Sequence, residues 1–231
     1  MCQGTGLQSE EKSVRKTIIL AALAATALGS AVVMAAQGPP QPMRFFVTSE
    51  DGTGNIGGLA GADARCQRLA AAAGAGDRTW HAYLSTQGAG AVNARDRIGA
   101  GPWHNAKGEI IAANVADLHG DNERDRNNIY KGSALDEKGM PVMGRGDATN
   151  KHDILTGSDS LGRAMPAGED KTCRNWTYDG DDATAHAQVG HHDRNGGNTS
   201  SWNSGHQTPG CNAASLARVG GAGKLYCFAI N

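Results

Sequence analysis

Four cysteines, Cys66, Cys173, Cys211 and Cys227, constrain this chain more than any other feature, because they follow a segment that reads as an export signal. In that segment Arg15 and Lys16 precede the apolar run Thr17 to Met34, and Ala35 and Ala36 offer a small-residue cleavage site. An even set of cysteines sent to an oxidising compartment predicts two disulfides, in any of three connectivities. None is spaced Cys-x-x-Cys, which argues against a thiolate zinc site or a dithiol redox motif.

Residues 1–36 are thus expected to be a signal peptide, with an uncleaved N-terminal anchor as the alternative reading. Residues 37–42 are expected to be a short linker, and residues 43–231 one domain. No cysteine directly follows the apolar run, so a lipid-modified N-terminus is not expected. The acidic lead before Val14 points to a start near that residue, which would leave Cys2 outside the protein. The expected destination is the cell surface, the periplasm or the medium.

Of 22 Lys and Arg and 23 Asp and Glu, 3 and 2 fall in the first 36 residues, leaving a net charge of about −2 beyond them. That balance argues against a nucleic-acid or polyanion partner. A membrane enters only if the leader stays attached. With 33 Gly and only 5% aromatic residues, large core anchors are few, and cross-links are expected to supplement burial.

Local patterns predict a strand at Arg44–Ser49 and a helix from Gly61–Asp63 to Gly74. In that helix Cys66, Leu69, Ala70 and Ala73 share the apolar face. Thr79–Ser85 alternates as a half-buried strand with His81 and Tyr83 on its outer side. Pro102–Ala112 reads as a hairpin turning at Lys107-Gly108, and Asn114–Leu118 as one helical turn. From His119 to Asn150 a polar, Gly-rich loop region is expected. The stretches "HDILTG", "CRNWTY", "ASLARVG" and "KLYCFAI" are the remaining strand candidates.

Longer stretches carry a resemblance. "GGLAGADARCQRLAAAAGAGDRTWHAYLS" resembles the helix-and-strand opening of the endostatin domain at the C-terminus of certain collagens. "ILTGSDSLGRAMPAGEDKTCRNW" is similar to that family's Gly-Ser-Asp segment with its Cys-x-x-Trp, and the ending "C…LYCF" also matches. The resemblance covers roughly Phe45 to Ile230, with diverging middle loops. It implies an α+β fold of the C-type lectin-like or endostatin-like class, with mixed antiparallel sheets, one long helix and two nested disulfides. It also implies the pairs Cys66–Cys227 and Cys173–Cys211. Closing the shorter loop would stabilise by roughly 3 to 4 kcal/mol in the chain-entropy model, and the longer one by somewhat more.

The site residues follow from comparing this chain with sugar-binding lectins, in which Trp-Asn-Asp and Glu-Pro-Asn or Gln-Pro-Asp motifs supply oxygens to calcium. Here Trp202-Asn203 is followed by Ser204, and neither Pro motif occurs, so the usual calcium set is incomplete. Trp202 is expected in the core. Asp179, Asp181 and Asp182 form an acidic triplet without the closing Glu of a calcium loop. His186, His191, His192 and His206, with Asp193, have the side chains of a zinc site. The N-terminal histidines that hold zinc in endostatin have no counterpart in "QGPPQPMR", and its clustered heparin-binding arginines are missing. No Gly-x-Ser-x-Gly elbow, His-Glu-x-x-His or phosphate loop occurs.

The expected function is a non-catalytic exported binding module that recognises a glycan or an extracellular or envelope protein. Its expected ligand contacts are Asp179, Asp181, Asp182, His191, His192, Asn198, Asn203 and His206. The competing expectations are a metal-dependent enzyme built on loop 179–206 and a structural envelope protein.

Overall fold

The last strand organises the molecule. In the computed structural model, which describes residues 1, 41–121, 127–196 and 199–231, Gly221–Ala229 forms a nine-residue strand, β8. Its even and odd side chains separate two cores. Leu225, Cys227 and Ala229 face one cluster, while Tyr226 and Phe228 face the other. This is the period-two alternation of a strand buried on both faces.

Five more strands complete the sheet around β8: β1 (Phe45–Val47), β2 (Trp80–Ala82), β5 (Asp153–Leu155), β6 (Gln188–His191) and, at the edge, β7 (His206–Gln207). β1 and β2 run antiparallel to β8, and β5 runs parallel to it. β6 pairs antiparallel with β5, and β7 with β6. A separate hairpin joins β3 (Trp103–His104) to β4 (Ile110–Ala112), and it turns at Lys107-Gly108 as expected, with Gly108 at φ 78°. The fold is therefore mixed α+β.

The first helix, α1 (Gly58–Ala72), begins earlier than the sequence suggests. Gly57 and Gly58 both adopt positive φ, and these two glycines turn the chain into the helix. Cys66, Leu69 and Ala70 lie on its buried face, but Ala73 falls past the last turn and is exposed. Cys66 bonds to Cys227 and Cys173 to Cys211, the pairing implied by the resemblance. All four tryptophans, Trp80, Trp103, Trp176 and Trp202, are fully buried, so the few aromatics are concentrated inside. Trp202 packs against Tyr83 and Tyr226.

Several local expectations are corrected. Ala213–Val219 is a helix, α3, rather than a strand. The Asn212 side chain caps its first turn by accepting from the Ser215 amide at 2.8 Å, and Gly220 at φ 97° ends it. The same Asn and Gly bracket surrounds the short helix α2 (Val115–His119), between Asn114 and Gly120.

"CRNWTY" is not a strand either. Cys173, Arg174, Asn175 and Trp176 all have positive φ and make one left-handed turn. Such a turn costs roughly 1–2 kcal/mol per residue and persists only where its surroundings fix it. Here the disulfide holds Cys173, and Trp176 is buried with its indole N–H donating to Ser85 C=O at 2.8 Å. Tyr83, expected on an outer face, is buried under the second cluster. Residues 188–191, expected as loop, form β6.

Contacts group residues 40–231 into one compact unit. Among the described residues no helix is long and apolar enough to cross a membrane. The apolar leader, the cleavage site and Asn198 lie outside the described residues.

Candidate metal centre

Two strand registers build the site. β5 lies between β8 and β6, with Asp153 directly opposite His191, and β6 places Val189 opposite His206 on β7. A register shift between Asp153 and Ile154 opens the β5–β8 ladder at the same point. The Asp153 carboxylate is fully buried there, and three imidazoles converge on it. His152 Nε2 lies 3.1 Å and His191 Nε2 3.3 Å from Oδ1, and His206 Nε2 lies 3.4 Å from Oδ2.

The other nitrogen of each ring is already committed. His152 Nδ1 is 3.1 Å from Asp193 Oδ1, His191 Nδ1 is 3.0 Å from Thr199 C=O, and His206 Nδ1 is 3.1 Å from Gln207 C=O. All three partners only accept, so each neutral ring carries its hydrogen on Nδ1 and presents a lone pair at Nε2. Those lone pairs face two carboxylate oxygens that also only accept. Both Asp153 oxygens and His191 Nε2 accordingly have no hydrogen-bond partner. A buried patch of acceptors without donors costs free energy, unless a cation sits among them.

The dimensions suit such a cation. A tetrahedral zinc ion with ligands at 2.0–2.1 Å separates those ligands by about 3.3 Å. The three nitrogen–oxygen separations around Asp153 run from 3.1 to 3.4 Å. His152, Asp153 and His191 bring their ligand atoms within 4.8 Å of one another, while His206 stands outside that set against the second carboxylate oxygen. Each ring's Nδ1 contact fixes tautomer and orientation, as outer partners of metal-bound histidines do.

Burial pushes the His191 imidazole below its ordinary value, and the Asp153 carboxylate beside it pulls His206 above it. Asp193 is held well below the usual carboxylate range by His152 and by the backbone amides of Arg145 and Asn195, which together outweigh its burial. Glycines let the rings approach. A Cβ at Gly205 would sit 2.9 Å from His191 Nε2, and one at Gly220 2.4 Å from Asn150 Nδ2 and 2.9 Å from His152 Cδ2.

The other expected site residues lie elsewhere. His192 faces away from the centre, buried with its Nε2 3.2 Å from Met143 C=O. His186 contacts Thr208 C=O at 2.8 Å. Asp193 supports His152 from behind. Asp182 is saturated by Arg174, Tyr178 and Thr184, and these donors hold its carboxyl well below the usual range. Asp181 is engaged by Ser215 and Arg218, and Asp179 is exposed. Asn203 is buried, its amide nitrogen bound to Tyr83 Oη, Asp159 C=O and Ser160 C=O, so it braces the core.

Two of the converging residues, His152 and Asp153, carry no sequence signal beyond the strand "HDILTG". Their adjacency at the start of a strand was the only local signal, and it gains meaning only from the pairing with His191. No family model matches this chain, and no curated protein matches it either.

Proposed function

We propose that the chain is an exported, non-catalytic binding module of the endostatin-like, C-type lectin-like class whose ligand centre is a zinc-type metal site. Its ligands are His152, Asp153 and His191, with His206 beside the coordination position they leave open. One observation carries this reading: three imidazole lone pairs and two carboxylate oxygens meet in a buried spot without a hydrogen between them. Nitrogen-rich ligation selects a borderline-soft ion over calcium, which prefers six to eight oxygens. The two disulfides fit an oxidising compartment and leave no competing thiolate among the described residues.

Elemental analysis and calorimetry on protein secreted with both disulfides formed test this directly. The expected result is about one zinc per chain, little heat with calcium, and loss of zinc binding in His191→Ala. Protein that purifies metal-free and shows no zinc isotherm at neutral pH would overturn the reading.

A further inference from the structure

The metal centre is covered on every side but one. The side chains of His152, Asp153 and His191 are 5%, 0% and 1% exposed, whereas that of His206 is 36% exposed. On that open side lies a cleft of about 380 Å³. Besides the histidines it is lined by Arg145, Asn150 and Arg218, and among the described residues no Asp or Glu lines it.

The charges at this mouth are unbalanced. The Arg145 guanidinium is exposed and, among the described residues, has no hydrogen-bond or ion-pair partner. Arg218 is only partly committed, at 3.3 Å from Asp181 Oδ1 and 3.1 Å from Ser215 Oγ. Asp181, the acid facing it, is exposed and also held by Ser215. A divalent ion inside brings two positive charges, of which Asp153 offsets one, while Asp193 is spent on His152 and the Arg145 amide. With a metal bound, the cleft therefore presents that ion and two arginines, and nothing negative among the described residues lines it to answer them.

We infer that this cleft binds an oxyanion, a carboxylate or phosphate group, through the metal from within and through Arg145 and Arg218 from the rim. This inference rests on the metal reading above and specifies the chemistry of the ligand it serves. Guanidinium groups match carboxylate and phosphate geometry, and they act most strongly where the anion is drawn partly out of water. An exogenous oxygen reaches the ion only from the cleft, because protein covers its other sides. A sugar acid or a phosphorylated sugar would satisfy this chemistry, which ties the metal centre to the glycan recognition expected from the fold class.

The test uses full-length secreted protein loaded with cobalt(II), whose visible spectrum reports both occupancy and added ligands. Inorganic phosphate and glucuronate are titrated separately, on wild type and on Arg145→Ala, Arg218→Ala and the double variant. The expected result is a saturable spectral change with at least one of the two anions. Each arginine variant should weaken it about tenfold, as loss of a charge-assisted contact does. Cobalt affinity should stay unchanged, since neither arginine touches the metal ligands.

Phosphate alone, or glucuronate alone, identifies which oxyanion class fits. Normal cobalt uptake with no response to either anion, or variants that bind both as wild type does, overturns the oxyanion site and leaves the metal centre standing. Failure to take up cobalt overturns both.

Discussion

Asp153 distinguishes a functional site from a structural one at the scale of a single side chain. If it served only as the hub of an ion-pair network, removing its charge would destabilise the fold. The structure argues the opposite for metal-free protein above neutral pH. There Asp153 is buried among lone pairs with both oxygens unpartnered. Asp153→Asn is therefore expected to stabilise the metal-free protein at pH 8 by about 1–3 kcal/mol, while abolishing zinc binding. Urea unfolding with and without a chelator checks both halves, and a destabilised metal-free variant would count against a site built for a cation.

His119 shows the contrasting case of a buried histidine that is fully satisfied. Asn203 donates to Tyr83 Oη, Tyr83 donates to His119 Nε2 at 2.7 Å, and His119 Nδ1 donates to Val115 C=O at 2.9 Å. The chain of donors fits only a neutral ring, and burial lowers its pKa below the ordinary value. The unfolded chain therefore takes up this proton first. The contribution of His119 is complete above about pH 6.5 and is lost as the pH falls below it. His119→Gln should flatten the stability profile between pH 7 and 5, and an unchanged slope would show that the ring titrates freely.

At the scale of elements, the glycine that ends α3 also positions a ligand. Gly220 combines φ 97° with a close approach to Asn150 and His152, so an added methyl group meets strain and a clash together. Gly220→Ala should cost about 1–2 kcal/mol in stability. It should also weaken zinc by at least about tenfold, because misplacing one ligand by a fraction of an ångström loosens the whole set. Calorimetry on the folded variant separates the two effects, and unaltered zinc affinity would mean that His152 is not held from this side.

The same helix shows which elements could be read from the chain. α1 and β8 were legible because Cys66, Leu69 and Ala70 repeat at helical spacing and "KLYCFAI" is continuous and apolar. α3 reads as a strand from its sequence although Asn212 and Gly220 bracket it, because seven residues are too short to show a helical period. The left-handed turn at Cys173–Trp176 was illegible, since no glycine marks it and only the disulfide and the buried Trp176 hold it. For the site, His191 and His206 were singled out by composition, but Asp153 and His152 were not. A cross-strand register between segments some forty residues apart leaves no local trace, and it is what joins the two halves.

The whole molecule closes that register twice. The Cys173–Cys211 bond spans 38 residues and encloses both His191 and His206, whereas His152 and Asp153 lie outside that loop. On the proposed zinc reading, disulfide and metal restrain the same segment by independent means, one by shortening the unfolded loop and one by binding the folded state alone. Replacing the pair in Cys173→Ser/Cys211→Ser should lower the stability of metal-free protein by about 4 kcal/mol in the chain-entropy model. Zinc at a hundred times its dissociation constant should return about 2.7 kcal/mol by mass action. The variant's affinity should also fall, because the binding-competent arrangement must now be selected from a looser loop. Urea melts of wild type and variant, each with chelator and with zinc, measure all four states. A zinc increment equal to zero in both proteins would leave the disulfide as the loop's only clamp and exclude a resident metal from the architecture.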